Sequence, residues 1–230
     1  MRRLGLAFGG LAALVAFLFI VAAGCGDGGG GEVPSPAPPE LKERLRRMVL
    51  RAEDLPAGFN LIDEVFSTNQ DVADASPDPE GQLARLRQWG RILGYELTYE
   101  PSEPAAEGQS IIFSVNSTAS IYESAEGASA SFADAAKTAR DTDWAAQFQG
   151  AADIVVEEVS APAVADEVLW LRIRGKAEAG EQTFAHDVVI LRTGALRGSL
   201  QAGSFGTQES KEFVERLMRA QAEHMATAPR

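Results

Sequence analysis

Tyr95-Glu96-Leu97-Thr98-Tyr99-Glu100-Pro101 is the stretch whose reading decides the fold. Apolar residues alternate with polar ones and proline closes the run. Successive side chains of a strand point to opposite faces, so this is a strand buried on one side. Just upstream the period is helical: Leu83, Leu86 and Trp89 mark a short helix, with Asp78 as its cap and Pro79 as its first residue. Downstream, residues 110–122 read as a longer strand with Ile111, Phe113 and Val115 on one face. Ala125, Ala128, Phe132, Ala135, Ala136 and Ala139 then form the apolar face of an amphipathic helix, and its small side chains allow close approach to a sheet.

Working outward, Leu41, Leu45, Met48, Val49 and Ala52 form a helical stripe that ends near Pro56 and Gly58. A short strand over 60–66 and a loop over 67–79 follow. Beyond the alanine-rich helix the spacing predicts strands over 153–159, 167–175, 182–193 and 195–203, the last two joined through Thr193-Gly194, a hairpin signal. A final helix over about 208–225 has Phe213, Leu217 and Ala220 on its buried side and Thr207 as its cap. Strands and helices come in blocks rather than in strict alternation. The expected class is therefore α+β: a twisted antiparallel sheet with helices packed on one face, in a single domain over 40–230.

The 230 residues are 45% hydrophobic and 23% charged, as in a folded protein. Lys and Arg number 21 against 33 Asp and Glu, a net charge of −12 with no basic run, which argues against a nucleic-acid partner. One Cys and two His exclude a disulfide scaffold, a structural zinc site and a thiol redox motif. Gly26, Gly28 and Gly31 match the dinucleotide pattern G-x-G-x-x-G, but no strand precedes them and Pro34 stands where a helix should begin, so no cofactor is expected.

Arg2 and Arg3 precede an uncharged stretch over 4–24, the layout of an export signal. It ends in Val21-Ala22-Ala23-Gly24-Cys25, which resembles the lipobox of bacterial lipoprotein precursors, with Ala22 where Leu is more usual. The resemblance implies that the Cys25 thiolate takes a diacylglyceryl group, that the signal over 1–24 is cut away, and that Cys25 becomes a lipid-bearing N-terminus. The alternative is an uncleaved membrane helix, for which the stretch is long enough but is weakened by Gly9, Gly10 and Gly24. Residues 25–39, rich in Gly and then in Pro, read as a tether of up to about 45 Å. The expected place is the extracytoplasmic face of a cell membrane, with the membrane as partner through the anchor at Cys25. Loss of Arg2 and Arg3 takes the net charge from −12 to −14, so the body is expected to stand off anionic lipid.

Asp54-Leu55-Pro56-Ala57-Gly58-Phe59, then Trp89-Gly90-Arg91 leading to Gly94-Tyr95, Ser124-Ala125-Glu126-Gly127-Ala128 opening a helix, and Arg192-Thr193-Gly194 between two strands form a second set of motifs. It is similar to uncharacterised bacterial surface lipoproteins and to extracellular sensor-like domains of actinobacterial type. That resemblance implies a non-enzymatic α+β domain.

His186 beside Asp187 is the best catalytic candidate, but neighbours on a strand face opposite ways, so the carboxylate cannot orient that ring. His186 shares its face with Phe184, Val188 and Ile190, as a buried, hydrogen-bonded histidine would. His224, near the end of the last helix, gains from the helix dipole without any function. G-x-S-x-G, S-x-x-K and H-E-x-x-H are absent, and Asp141-Thr142-Asp143 lacks the third ligand and the Gly of a calcium loop, so no catalytic or metal residue is assigned.

Binding has a candidate in Trp170, Arg172 and Arg174, which share one strand face and, if that face is open, would grip a carboxylate, phosphate or sugar ring. The alternative pairs both arginines with acids of neighbouring strands. Trp89, Tyr95 and Tyr99 are either core or pocket lining, and Trp144 with Phe148 is either an exposed lid or a staple onto the domain. The leading expectation is an anchored, non-catalytic domain that binds an envelope protein or a small amphiphilic ligand. A carrier with an apolar cavity between sheet and helices comes second, and a hydrolase using an acid pair or His186 third.

Overall fold

Seven strands form one antiparallel sheet in the order β1-β2-β3-β7-β6-β5-β4. The computed structural model describes residues 37–102, 111–177, 182–205 and 209–228. The expected signal, Cys25, most of the tether and Thr207 lie outside the described residues. In chain order the elements are α1 (Pro39–Met48), β1 (Phe59–Ser67), α2 (Asn69–Asp74), α3 (Pro79–Gln88), β2 (Arg91–Pro101), β3 (Ile111–Tyr122), α4 (Ala125–Asp141), α5 (Trp144–Gln147), β4 (Ala151–Glu158), β5 (Glu167–Ala177), β6 (Thr183–Thr193), β7 (Leu196–Phe205) and α6 (Glu209–Thr227). Two meanders, β1-β2-β3 and β4-β5-β6-β7, meet where β3 pairs with β7.

The α+β class and the antiparallel sheet are as the alternation predicts, whereas the helices occupy both faces rather than one. Val189 and Leu191 of β6 pack with Leu217 and Met218 of α6, while Val188 and Ile190 pack with Ala136 and Ala139 of α4. Adjacent strand residues face opposite ways, so α6, with α1 beside it, covers one face and α4 with α5 covers the other. The physical reason is that β5 and β6 are apolar at both parities and need cover on both sides.

Local chemistry sets the element ends. Asp78 accepts from the Gly81 amide at the start of α3, and Ser124 accepts from the Gly127 amide at the start of α4. Gly194 takes φ +56 in the β6–β7 turn, where a side chain would be strained. Residues 69–74, expected as loop, form α2, because Thr68 and Asp71 make a reciprocal capping box. A bulge between Ile112 and Ser114 shifts the register of β3, so Phe113 leaves the face of Val115 and lies over Gly203, next to the Phe205 ring at 5.2 Å.

Candidate binding face

Trp170 and Arg172 do project from one face of β5, but that face is under α6 and closed. Trp170 is 1% exposed and Arg172 5%. The Trp170 indole N–H donates to Asp187 Oδ1 at 2.7 Å, while Arg172 donates through Nε to Oδ1 at 2.8 Å and through Nη2 to Oδ2 at 2.9 Å. Burial pushes the Asp187 carboxyl upward, and the guanidinium and indole draw it back. Arg174 reaches Glu157 of β4 at 3.3 Å on the surface. The expected open aromatic and guanidinium face is therefore replaced by cross-strand ion pairs: Asp187 stands opposite Arg172 in the register, and Arg174, itself opposite Val155 and Ala185, reaches diagonally to Glu157.

His186 and Asp187 are on opposite faces, as the period requires. The His186 ring is enclosed by Trp144 and Phe148, with centroids at 6.2 and 5.6 Å, and hydrogen-bonds to Gln201. Burial lowers its pKa to about 4, so the imidazole is neutral at pH 7 and walled off from solvent, unsuited to abstracting a proton from a substrate. Trp144 is buried and donates its indole N–H to the Ala139 carbonyl at 3.0 Å, which makes α5 a staple. Tyr95 and Tyr99 are core, and Trp89 is partly buried at the end of α3, its carbonyl against Gly127. His224 pairs with Asp54 at 2.9 Å and ties the end of α6 to the turn after α1.

A shallow cleft of about 530 Å³ opens beside the β4–β5 connection, with Glu158, Pro162, Asp166 and Trp170 among its walls. Its charged groups are engaged already: Arg140 holds Glu158, and Arg192 with the Gly194 amide holds Asp166.

The α4 side of β2, β3 and β7 is different in kind. Glu96, Thr98, Asn116, Thr118, Ser199 and Gln201 share this face and are only partly buried. Asn116 donates to Glu96 at 2.6 Å and to Thr98 at 3.2 Å, while its own carbonyl is buried without a partner among the described residues. Thr118 and Ser199 hydroxyls meet across β3 and β7 at 2.7 Å. Burial, offset by the Asn116 amide and reinforced by Asp63, holds the Glu96 carboxyl above its ordinary range.

At one end of this polar strip a belt of side chains crosses the sheet from α2 to α4. Arg91, 7% exposed, donates through Nη1 to Asn69 Oδ1 and to the Ser67 carbonyl, both at 3.1 Å, through Nη2 to Ser67 Oγ at 2.8 Å, and through Nε to Ser120 Oγ at 3.3 Å. Ser120 stands opposite Arg197 in the β3–β7 register. Arg197 Nη1 donates to Ser131 of α4, at 2.7 Å to the hydroxyl and 3.2 Å to the carbonyl, and Ser131 also meets the Tyr122 hydroxyl at 2.7 Å. Gly94 makes room for this: a Cβ there would lie 2.0 Å from Arg91 Nη2. Sequence reasoning left Arg91 and Arg197 unassigned. The available signal was the run Ser114, Asn116, Thr118, Ser120 at period 2, too polar for a face that a helix covers.

No family model matches the sequence, and no curated relative does. Among solved structures, the crystal structure of the extracellular domain of PknH from Mycobacterium tuberculosis is similar to this chain with a TM-score of 0.49 and 12% identity, over 79% of this chain and 95% of that one.

Proposed function

We propose that this chain is a lipoprotein held through Cys25 on the extracytoplasmic face of a membrane, and that its domain from residue 40 onward binds an envelope component without transforming it. The observation that carries the binding reading is the contrast between the polar half-face and the rest of the sheet. Beneath α6, Val189, Leu191, Leu200, Leu217 and Met218 are all 0% exposed. The α4 side of β2, β3 and β7 instead keeps Glu96, Thr98, Asn116, Thr118, Ser199 and Gln201 within reach of solvent. Hydrogen-bonding side chains arrayed on a rigid sheet suit recognition of a polar ligand.

The carrier alternative requires an apolar cavity between sheet and helices. Val189, Leu191, Leu200, Leu217 and Met218 are fully enclosed by neighbouring atoms, with no water-sized void against them, which leaves no room at this part of the α6 interface for a hydrophobic ligand. Support for the anchor is the position of the single Cys, directly after an apolar stretch and four small or apolar residues.

Two measurements test the two halves of the reading. In a bacterial host the parent chain is expected to partition into detergent and to begin at residue 25 with added acyl mass, while Cys25→Ala stays unprocessed. Equal processing and partition of both would overturn the anchor. Native mass spectrometry of the extracted protein is expected to show a bound mass that disappears on denaturation and is lost in Thr118→Trp, which fills the half-face. A bound mass that survives Thr118→Trp, or a bare parent chain, would overturn the assignment of this face.

A further inference from the structure

The belt between α2 and α4 holds two guanidinium groups, and among the described residues no carboxylate lies within 4 Å of either. In a chain with 33 acids and 21 bases this is uncommon: Arg172, the other buried arginine, and most exposed ones have found an acid, whereas partly buried Arg44, like Arg197, has none within 4 Å among the described residues. Asp71 is the acid whose field reaches Arg91, and its Oδ2 is engaged by the Thr68 amide and hydroxyl at 2.7 Å each. Buried cations are normally paired, because taking a charge out of water without a counter-charge is costly.

The guanidinium of Arg91 carries five N–H groups; its four bonds go to Asn69, Ser67 and Ser120, which leaves one N–H of Nη2 above Gly94. Arg197 uses only Nη1, on Ser131, leaving Nε and both hydrogens of Nη2 without an acceptor among the described residues. The acceptors in the belt are neutral oxygens of Ser67, Asn69, Ser120 and Ser131. Burial, with the neighbouring charge of Arg197 acting in the same direction, brings the Arg91 pKa down to about 10. The charge of an anion between the two groups would act against both effects.

We propose that Arg91 and Arg197, with Ser120 between them and Gly94 beneath, form an oxyanion site that takes a carboxylate or phosphate group, either free or at the end of a larger ligand. Planar guanidinium forks match the paired oxygens of those groups, and a site spread over three neighbouring strands, β2, β3 and β7, is held rigidly by the sheet. The inference deepens the binding reading of this half-face and is independent of Cys25. Loss of anion binding with membrane retention intact refutes the site alone; the reverse refutes the anchor alone.

The test uses the full chain in nonionic detergent, titrated at constant ionic strength with inorganic phosphate, glycerol phosphate and acetate, each up to about 50 mM, with thermal midpoint and titration heat as readouts. The expected result is a saturable response to at least one anion that Arg197→Gln weakens about tenfold or more. Arg140→Gln, whose guanidinium is exposed and paired with Glu158, leaves it unchanged. Tighter binding of glycerol phosphate than of inorganic phosphate assigns the group to a lipid headgroup, the opposite order to a free anion, and preference for acetate to a carboxylate ligand. If Arg197→Gln fails to fold, Arg197→Lys keeps the charge, loses the fork and is expected to bind more weakly than the parent. No saturable response to any of the three anions, or equal weakening by Arg197→Gln and Arg140→Gln, overturns the proposal.

Discussion

Removing the Asp187 carboxylate is predicted to be among the most damaging single changes in this protein, and replacing it with an amide is predicted to be almost as bad. Asp187 is 1% exposed and accepts three hydrogen bonds, one from the Trp170 indole and two from Arg172, itself 5% exposed. Asp187→Ala removes the carboxylate that holds the Arg172 guanidinium at two points in a dry interface, which costs about 3–5 kcal/mol. Asp187→Asn keeps an acceptor for the indole but turns an amide N–H₂ toward Arg172, setting donor against donor. If the charge is what matters, Asn loses about as much as Ala; if the indole hydrogen bond is what matters, Asn loses only about 1 kcal/mol. The assay is urea unfolding at pH 7, followed by far-UV circular dichroism and by tryptophan fluorescence. With a denaturant slope of about 2 kcal/mol per M, either variant should lower the midpoint by about 2 M. Glu157→Ala, which breaks the surface pair with Arg174, supplies the scale for an exposed interaction at about 0–1 kcal/mol. Asp187→Asn behaving like Glu157→Ala would refute the reasoning.

His186 gives a pH dependence whose sign follows from its environment. Its folded pKa of about 4 lies below the ordinary 6.5, so the unfolded chain protonates first as pH falls. The stabilisation is complete above about pH 6.5 and declines toward pH 4, by about 3 kcal/mol in all. Urea midpoints across that range should fall less in His186→Gln than in the parent, and parallel curves would remove the effect. Trp144→Ala should cost about 3–5 kcal/mol through the cavity it leaves. It should also move the His186 ring titration, followed by proton NMR, upward toward its ordinary value, because Trp144 forms part of the wall that keeps water from the ring. Gly94→Ala should displace the Arg91 guanidinium at a cost of about 1–3 kcal/mol, with faster amide exchange confined to α2 and the adjoining end of β2. Slower or unchanged exchange in α2 would show that Arg91 does not tie it down.

Most elements were legible because their signals are local. Alternation marks β2, the alanine stripe marks α4, and Asp78-Pro79 opens α3, as the structure has them. The loop over 67–79 hid α2, although Thr68 and Asp71 at cap spacing were there to be read. Bulges at Leu61/Asp63, Arg91/Leu93 and Ile112/Ser114 have no local signature, and one of them moves Phe113 across the sheet. The belt was illegible for a different reason. Asn69, Arg91, Ser120, Ser131 and Arg197 come from five elements, and only the pairing of β3 with β7 brings the last of them beside the others. Trp170 and Arg172 were correctly given one face, but whether that face was open depended on where α6 would lie.

The same alternation that identifies the strands also says where the sheet is left open. In β5 and β6 both parities are buried over most of their length, and helices lie on both sides of them. In β2 and β7 burial alternates, so one face is packed beneath α1 and α6 while the other keeps its polar residues partly exposed. Had α4 been built to cover β2 and β3 as it covers β6, apolar residues would be needed at positions 114, 116, 118 and 120 to meet it; these are instead Ser, Asn, Thr and Ser, with Asn116 bonded to Glu96, Thr118 to Ser199 and Ser120 to Arg91. A polar sheet face is stable in water without a partner, so its exposure alone requires no ligand. Two guanidiniums at its end, one buried and one partly buried and with no acid between them among the described residues, are not stabilised by water to the same degree. That asymmetry is why the oxyanion site is placed at Arg91 and Arg197 and not along the neutral strip of Thr118 and Ser199.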